Sequence, residues 1–240
     1  MNKIIVLIPF YNERNNLSEL KNLITNLSKL DIYFKFVFCD DNSNDNTAIN
    51  LSNFLKHENF DFEIVENNTN LGHGGSLIRL SKYKQINDFD FVLTIDFDFS
   101  YRYLDLVSIL NSNLENSIVI GKRKFFDEGV FRQSITTCSE LIIFMKSFKL
   151  FKDTNCPIRL YPSSVYLSIW KQIPDDTLIP NIFSTFIMLK SKLSFRRVSI
   201  NKNRELKITS VSWGDGFFSK RIKLIYFSLK SFKQIISFKY

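Results

Sequence analysis

The sequence predicts an α/β fold, a single domain whose mostly parallel central sheet is flanked by helices. Three observations carry that prediction. Short apolar, β-rich runs recur along the first half of the chain, each followed by a segment with helical spacing. The runs Lys3 to Pro9 and Phe91 to Ile95 are apolar on both faces, as strands covered on both sides are. Each run then gives way to a loop rich in Asn, Asp, Gly or Pro. At 240 residues, 45% of them hydrophobic, the chain can bury one substantial core and is too apolar to be disordered.

The first strand, Lys3 to Pro9, is ended by Pro9 and Asn12, and Leu20, Leu23, Ile24, Leu27 and Leu30 then mark an amphipathic helix over Ser18 to Leu30. Tyr33 to Cys39 is the second strand and closes on the polar run Asp40 to Thr47. A helix follows to about His57, then a third strand, Phe62 to Val65, and the glycine-bearing loop Asn70 to Gly75. A helix from Ser76 to about Lys84 leads into the strand Phe91 to Ile95, which exits on Asp96 and Asp98. The second half is less regular. It contains a strand Ser117 to Ile120, a helix Val130 to Phe148, helices near Ser163 to Lys171 and Ile179 to Leu189, and a strand Leu193 to Ile200. The last stretch, Phe217 to Tyr240, reads as a basic amphipathic helix with Phe218, Ile222, Ile225, Leu229, Phe232 and Ile236 on one stripe. Such a helix suits an anionic bilayer or another helix. The expected division is residues 1–212 as the main domain and 213–240 as this appendage.

Ligands of open parallel sheets gather at the carboxyl ends of the strands. Here those ends carry Tyr11 to Glu13, Asp40 with Asp41, Asn70 to Gly75, and Asp96 with Asp98, so one crevice is expected to collect all four groups. A D-x-D leaving a buried strand offers two hard oxygen ligands where a divalent cation can bind together with substrate phosphates; the ordinary alternative is a solvated turn. The glycines of the third loop suit either phosphate contact or a turn with positive φ. His73 reads as a polar loop residue rather than a ligand.

Composition narrows the classes. Three widely separated cysteines, Cys39, Cys138 and Cys156, fit neither a disulfide framework nor a zinc cluster and read as reduced thiols in a cytoplasmic protein. The N-terminal run lacks a small-residue cleavage site, and no segment approaches the roughly 18 to 20 apolar residues that span a bilayer. A formal net charge of +8 points to an anionic partner. Nucleic acid is not expected, because the basic residues are not interleaved with aromatics in a binding module.

Four stretches in order resemble family 2 glycosyltransferases of the GT-A fold, a Rossmann-like architecture, and within them the polyprenyl-phosphate sugar synthases. Ile8 to Glu13 looks like the family's I-P-x-Y-N-E, Cys39 to Thr47 like V-D-D-G-S-x-D-x-T, Asn70 to Ser76 like N-x-G-x-G-x-A, and Asp96-Phe97-Asp98 like its D-x-D. Downstream, Gly121-Lys122-Arg123 stands where the family has G-S-R, Arg132 matches its second arginine, and Asp153 to Arg159 is similar to D-x-x-C-G-F-R. Ile179 to Asn181 resembles F-x-P-A, and Arg204 to Thr209 resembles R-x-x-G-x-S.

The resemblance implies a nucleotide-sugar site of Pro9, Tyr11, Glu13, Asp40, Asp41, Gly72, Gly74 and Asp96. It implies a Mg2+ or Mn2+ ion on Asp96 and Asp98, and a catalytic set of Asp98, Arg123, Arg132 and Arg204 around the diphosphate and an acceptor phosphate. The partners implied are a nucleoside-diphosphate sugar and a polyprenyl phosphate, with the protein peripheral on the inner face of the membrane. Ser100, Lys207 and Arg197 to Ser199 depart from the family pattern. A hydroxyl acceptor would need a general base, yet the positions matching the family's E-D pair are Pro180 and Asn181. The first rival is transfer to a glycan hydroxyl in surface-polysaccharide assembly, with Asp175 or Asp176 as base. The second is a non-catalytic nucleotide-binding protein of the same fold. Arg159 also has a structural alternative, as the ion-pair partner of Asp153.

Overall fold

Strand β1 (Asn2–Phe10) is covered on both faces, with Ile4 to Ile8 all buried, and the first half of the sheet is laid out around it. It pairs in parallel with β2 (Ile32–Asp40), which pairs in parallel with β3 (Asp61–Glu66), and on its other side with β4 (Phe91–Thr94). The sheet continues through β6 (Arg159–Pro162) and β5 (Ile118–Arg123) to β7 (Phe195–Ile200), giving the order β3-β2-β1-β4-β6-β5-β7. Strand β6 is antiparallel to both of its neighbours, while β5 and β7 are parallel. Two reversals in succession bring β5 back to the direction of β4, so β1, β2, β4 and β5 all end at the same edge.

The computed structural model describes residues 2–112, 117–123, 130–203 and 217–240, of which 130–132 and 217–221 are described by backbone alone. Arg204, Lys207 and Thr209 therefore lie outside the described residues, as do the side chains of Arg132, Phe218, Lys220 and Arg221.

The helices are α1 (Leu17–Leu27), α2 (Thr47–His57), α3 (Gly72–Ser81), α4 (Tyr103–Asn111), α5 (Val130–Ser147), α6 (Ser163–Trp170), α7 (Pro180–Lys190) and α8 (Phe217–Ser237). Helix α3 starts at Gly72 rather than Ser76. Three glycines in its first turn oppose helix by propensity, but a positive φ at Gly72 and close packing at Gly74 and Gly75 require them. Strand β6 and helix α4 go beyond the sequence reading. β6 is four residues long and opens on a charged side chain, which disguises it. α4 carries Asp105 inside its apolar pattern, tied to Arg102 and to Asn201 at the end of β7.

Helix α7 is buried from Pro180 to Leu189, as a helix apolar nearly all round must be. Helix α8 turns Ser228, Ser231 and Ile235 inward toward α5 and the body of the protein, and Phe238 packs on Phe183 and Phe186 of α7. The Lys146 ammonium closes its C-terminus by donating to the carbonyls of Ile235, Ile236 and Phe238 at 2.6 to 2.9 Å. Its outer face leaves Ile222, Ile225, Tyr226, Leu229 and Ile236 exposed. Among the described residues no helix is long and apolar enough to cross a membrane.

Candidate active site

The loops leaving β1 and β2 lock onto each other. Phe10 pairs in register with Asp40 and Pro9 with Cys39, and the Asp41 N–H donates to the Phe10 carbonyl at 2.9 Å. Beyond them Asn12 accepts from the Asn44 N–H, its own N–H donates to Ser43 Oγ, and the Arg14 N–H donates to Asp45 Oδ2. Asn12, Asn42 and Asn46 all have φ between 54° and 66°, in the left-handed region that Asn tolerates better than most side chains. Asn42 occupies the place of the glycine in the family's D-D-G-S, and its side chain explains how that turn survives the substitution.

Asp41 is 3% exposed and its carboxylate is engaged from within the protein. Oδ1 accepts from Asn67 Nδ2 (2.8 Å) and the Leu71 N–H (2.7 Å), and Oδ2 accepts from the Gly72 N–H (2.8 Å). An anion at the start of α3 satisfies amides that the helix cannot and complements its dipole. Asp41 thus fixes the glycine segment to the end of β2. Asn67, which sequence reading passed over, is buried beside it and is announced only by standing directly after β3. Asp40 accepts from the Ser43 N–H at 2.9 Å.

The glycines divide between two physical needs. Gly72 has φ +76°, where a side chain costs about 1–2 kcal/mol. Gly74 is required by space: a Cβ there would lie 2.6 Å from the Leu178 carbonyl oxygen and 2.8 Å from that of Thr177. Gly74→Ala is expected to destabilise the protein by about 1–3 kcal/mol, because only backbone can give way; denaturant unfolding measures it.

The D-x-D leaves β4 through a bend at Phe97 and Asp98, where Phe97 (1% exposed) and Phe99 (5% exposed) are buried in the core while Asp96, Asp98 and Ser100 stay half-buried. Phe97 packs on Phe10 with ring centroids 5.2 Å apart, which sets the D-x-D beside Tyr11, itself exposed. His73 Nε2 lies 3.6 Å from Asp96 Oδ1, bringing α3 to the same place. Past Asp98 the chain pairs with the segment leaving β7: the Arg102 N–H donates to Asn201 O and the Asn203 N–H to Ser100 O, around a Tyr101–Lys202 bridge. The segment that leads to Arg204 is therefore stitched to the D-x-D loop.

Negative charge accumulates here. Burial pushes the Glu13 carboxyl up to about 7; Asn16 opposes the rise by donating to it, and the neighbouring carboxylates of Asp96 and Asp45 add to it. An unfolded chain has released that proton above about 4.5 while the folded one still holds it, so this group's contribution to stability falls as pH rises from about 4.5 to 7. Glu13→Gln is expected to flatten that part of the stability profile and to raise Tm at pH 8, as thermal melts across pH would register.

Arg123 ends β5 at the same edge of the sheet, with its guanidinium beside the Tyr101 hydroxyl. It is clamped by Asp153, which is fully buried with φ 56°: Nη2 donates to Oδ1 at 2.6 Å, Nε to the same oxygen at 3.0 Å, and the Arg123 N–H to Oδ2 at 3.0 Å. Asp153 is thus paired by Arg123 and not by Arg159. Arg159, fully buried at the start of β6, donates instead to the carbonyls of Cys156 and Thr154, both at 2.7 Å. Arg132 lies in α5. Asp175 and Asp176 are exposed, and Asp175 pairs with Lys82 just past the C-terminus of α3. Gly72 is at the other end of that helix, about 15 Å away.

Residues 5–169 match the family model described as glycosyl transferase family 2. The chain belongs to glycosyl transferase family 2. Among its relatives, the uncharacterized protein MJ0544 of Methanocaldococcus jannaschii is 28% identical over 167 residues, 65% of this chain and 70% of that one. The undecaprenyl-phosphate 4-deoxy-4-formamido-L-arabinose transferase of Proteus mirabilis is 24% identical over 188 residues, 78% of this chain and 57% of the transferase, so the chain spans less than two thirds of that relative's length. Among solved structures, glucosyl-3-phosphoglycerate synthase from Mycobacterium tuberculosis, in complex with Mn2+, UDP and glucosyl-3-phosphoglycerate, superposes with a TM-score of 0.62 at 14% identity. That match covers 98% of this chain and 79% of the synthase. At that identity the likeness shows the fold, which is GT-A. The parallel β1, β2 and β4 of this family 2 chain, with their loops on one edge, are the core of that fold.

Proposed function

We propose that this glycosyltransferase is inverting and metal-dependent, and that it moves a sugar from a nucleoside diphosphate to a polyprenyl phosphate at a membrane surface. The observation that carries the choice of acceptor is the start of α7. A hydroxyl acceptor needs a base there, and the buried residues present are Pro180 and Asn181, neither of which takes a proton. Of the two rival bases, Asp175 is held by Lys82 at the far end of α3, and Asp176 is exposed next to it in the chain. A phosphate acceptor is already ionised and needs only cationic positioning.

In this reading Tyr11, Glu13 and Asp40 line the nucleoside side, Asp41 holds the glycine segment in place, and Arg123, Arg132 and Arg204 grip the diphosphate and the acceptor phosphate. The acceptor oxygen attacks the anomeric carbon from the face opposite the leaving group; the new C–O bond forms as the bond to the diphosphate breaks. The donor set fits a divalent cation. Asp96 and Asp98 are half-buried oxygen ligands, and the Asp96 carboxylate adds to the rise that burial imposes on the Glu13 carboxyl. Among the described residues no three His, Cys, Asp or Glu side chains form a metal site by themselves, so Mg2+ or Mn2+ would be shared between these carboxylates and the substrate phosphates. The cation, when bound, neutralises charge on the leaving diphosphate. Exposed Lys223, Lys230 and Lys233 beside Ile222, Ile225 and Leu229 on α8 support docking on an anionic bilayer.

A thermal-shift screen of UDP-, GDP- and dTDP-sugars with Mn2+ or Mg2+ tests the donor. A ligand at a hundred times its Kd adds about 2.7 kcal/mol of stability, roughly 5–10 °C for a chain of this size. An acceptor panel follows. Transfer to undecaprenyl or dolichyl phosphate is expected; transfer to saccharides alone refutes the acceptor, and binding without transfer or donor hydrolysis favours a non-catalytic role.

A further inference from the structure

We propose that Asn181 hydrogen-bonds a hydroxyl group of the transferred sugar and so helps determine which sugar is accepted, an inference that rests on the glycosyl-transfer reading above. Asn181 is the second residue of α7 and only 4% exposed, yet its Oδ1 meets no hydrogen-bond partner. A buried amide oxygen left so costs about 1–3 kcal/mol and calls for an explanation, of which a partner from outside the chain is one. Its backbone is in the same condition. The Ile182 and Phe183 N–H groups both turn back to the Ile179 carbonyl (3.0 and 3.3 Å) and Pro180 has no N–H. Among the described residues the Asn181 N–H is left over in that first turn.

One residue therefore presents an unused backbone donor and an unused, buried side-chain acceptor. A phosphate satisfies the N–H but is repelled by Oδ1, and a cation does the reverse. A hydroxyl satisfies both, accepting from the N–H and donating to the oxygen.

The surroundings put this pair where a sugar between two phosphates would lie. On one side His73 reaches Asp96, and the next residue, Gly74, packs on the Leu178 carbonyl three residues before Asn181. On the other side Thr185, one turn along the same face of α7, donates to the carbonyls of Thr154 (2.9 Å) and Asn181 (3.0 Å). Thr154 adjoins Asp153, the anchor of Arg123. Asn181 thus stands between the D-x-D and the Arg123 side of the crevice.

The test is calorimetric, on the full chain with Mn2+, using UDP, GDP and dTDP alone and UDP-glucose, UDP-N-acetylglucosamine, GDP-mannose and dTDP-glucose. Asn181→Ala is expected to weaken binding of the preferred nucleotide sugar roughly tenfold while the matching nucleotide alone stays within about twofold. Asn181→Asp, which keeps an oxygen acceptor, is expected to retain sugar binding. Monodeoxy donors give the same answer on the unmodified protein: one of them should bind roughly tenfold more weakly than its parent and gain nothing from Asn181 over alanine. Equal losses for nucleotide and nucleotide sugar, or no deoxy donor that discriminates, overturns the proposal and leaves Oδ1 to a buried water. A wild-type chain that binds none of the nucleotides overturns the donor reading itself, a distinguishable failure.

Discussion

Asp98→Ala is expected to lower sugar transfer by roughly a hundred- to a thousandfold, the range seen when a group that stabilises developing charge is removed. Asp98 is half-buried between Phe97 and Phe99, whose rings are the buried side chains of that bend. Packing there is borne by the rings, so the variant should stay folded and lose far less stability than a truncation of Phe97 or Phe99 would. Steady-state rates at increasing Mn2+ and a melt of the same preparation separate the two effects. A variant with full activity would remove the cation from the mechanism, and a variant that loses activity only because it unfolds would say nothing for it.

Arg123→Ala is expected to be a stability mutant first. Asp153 has no exposed surface, and the guanidinium fork with the Arg123 N–H is what satisfies its carboxylate. Removing one partner of a buried pair leaves the other charge uncompensated, at about 3–5 kcal/mol, which for a chain of this length is roughly 6–20 °C in Tm. Arg123→Lys should fall between, since an ammonium cannot reproduce the two-pronged geometry. The double variant Arg123→Ala, Asp153→Ala should recover part of the loss, because the buried charge goes with its partner. Any further rise in KM for the donor, measured well below the melting temperature, reports the phosphate-binding role that we propose for the same side chain.

The crevice was legible because its parts are announced locally. Strands ending in Tyr-Asn-Glu, Asp-Asp-Asn and Asp-Phe-Asp state where apolar structure stops and polar loops begin, and in a parallel sheet those stops share an edge. What sequence could not supply is pairing over distance. Asp153 and Arg159 are neighbours in the chain and were the natural pair to expect. Arg159, however, begins a strand that runs backwards into the sheet and finds carbonyls, while Arg123 arrives at Asp153 from thirty residues away. Gly74 shows the same limit. The sequence offered phosphate contact or a positive φ as its reason, whereas the obstacle is the backbone at Thr177 and Leu178, about a hundred residues further on. Strand β6 was missed because four residues opening on a buried arginine carry no alternation to read.

One peptide group has two masters. The N–H of Leu178 is held by Gln234 Oε1 of α8, at 3.0 Å, and Gln234 Nε2 also donates to Asp176 O; the carbonyl of the same peptide group, that of Thr177, is part of the surface against which Gly74 rests. A shift of the last helix is thereby carried through a single amide to the backbone on which the start of α3 is packed.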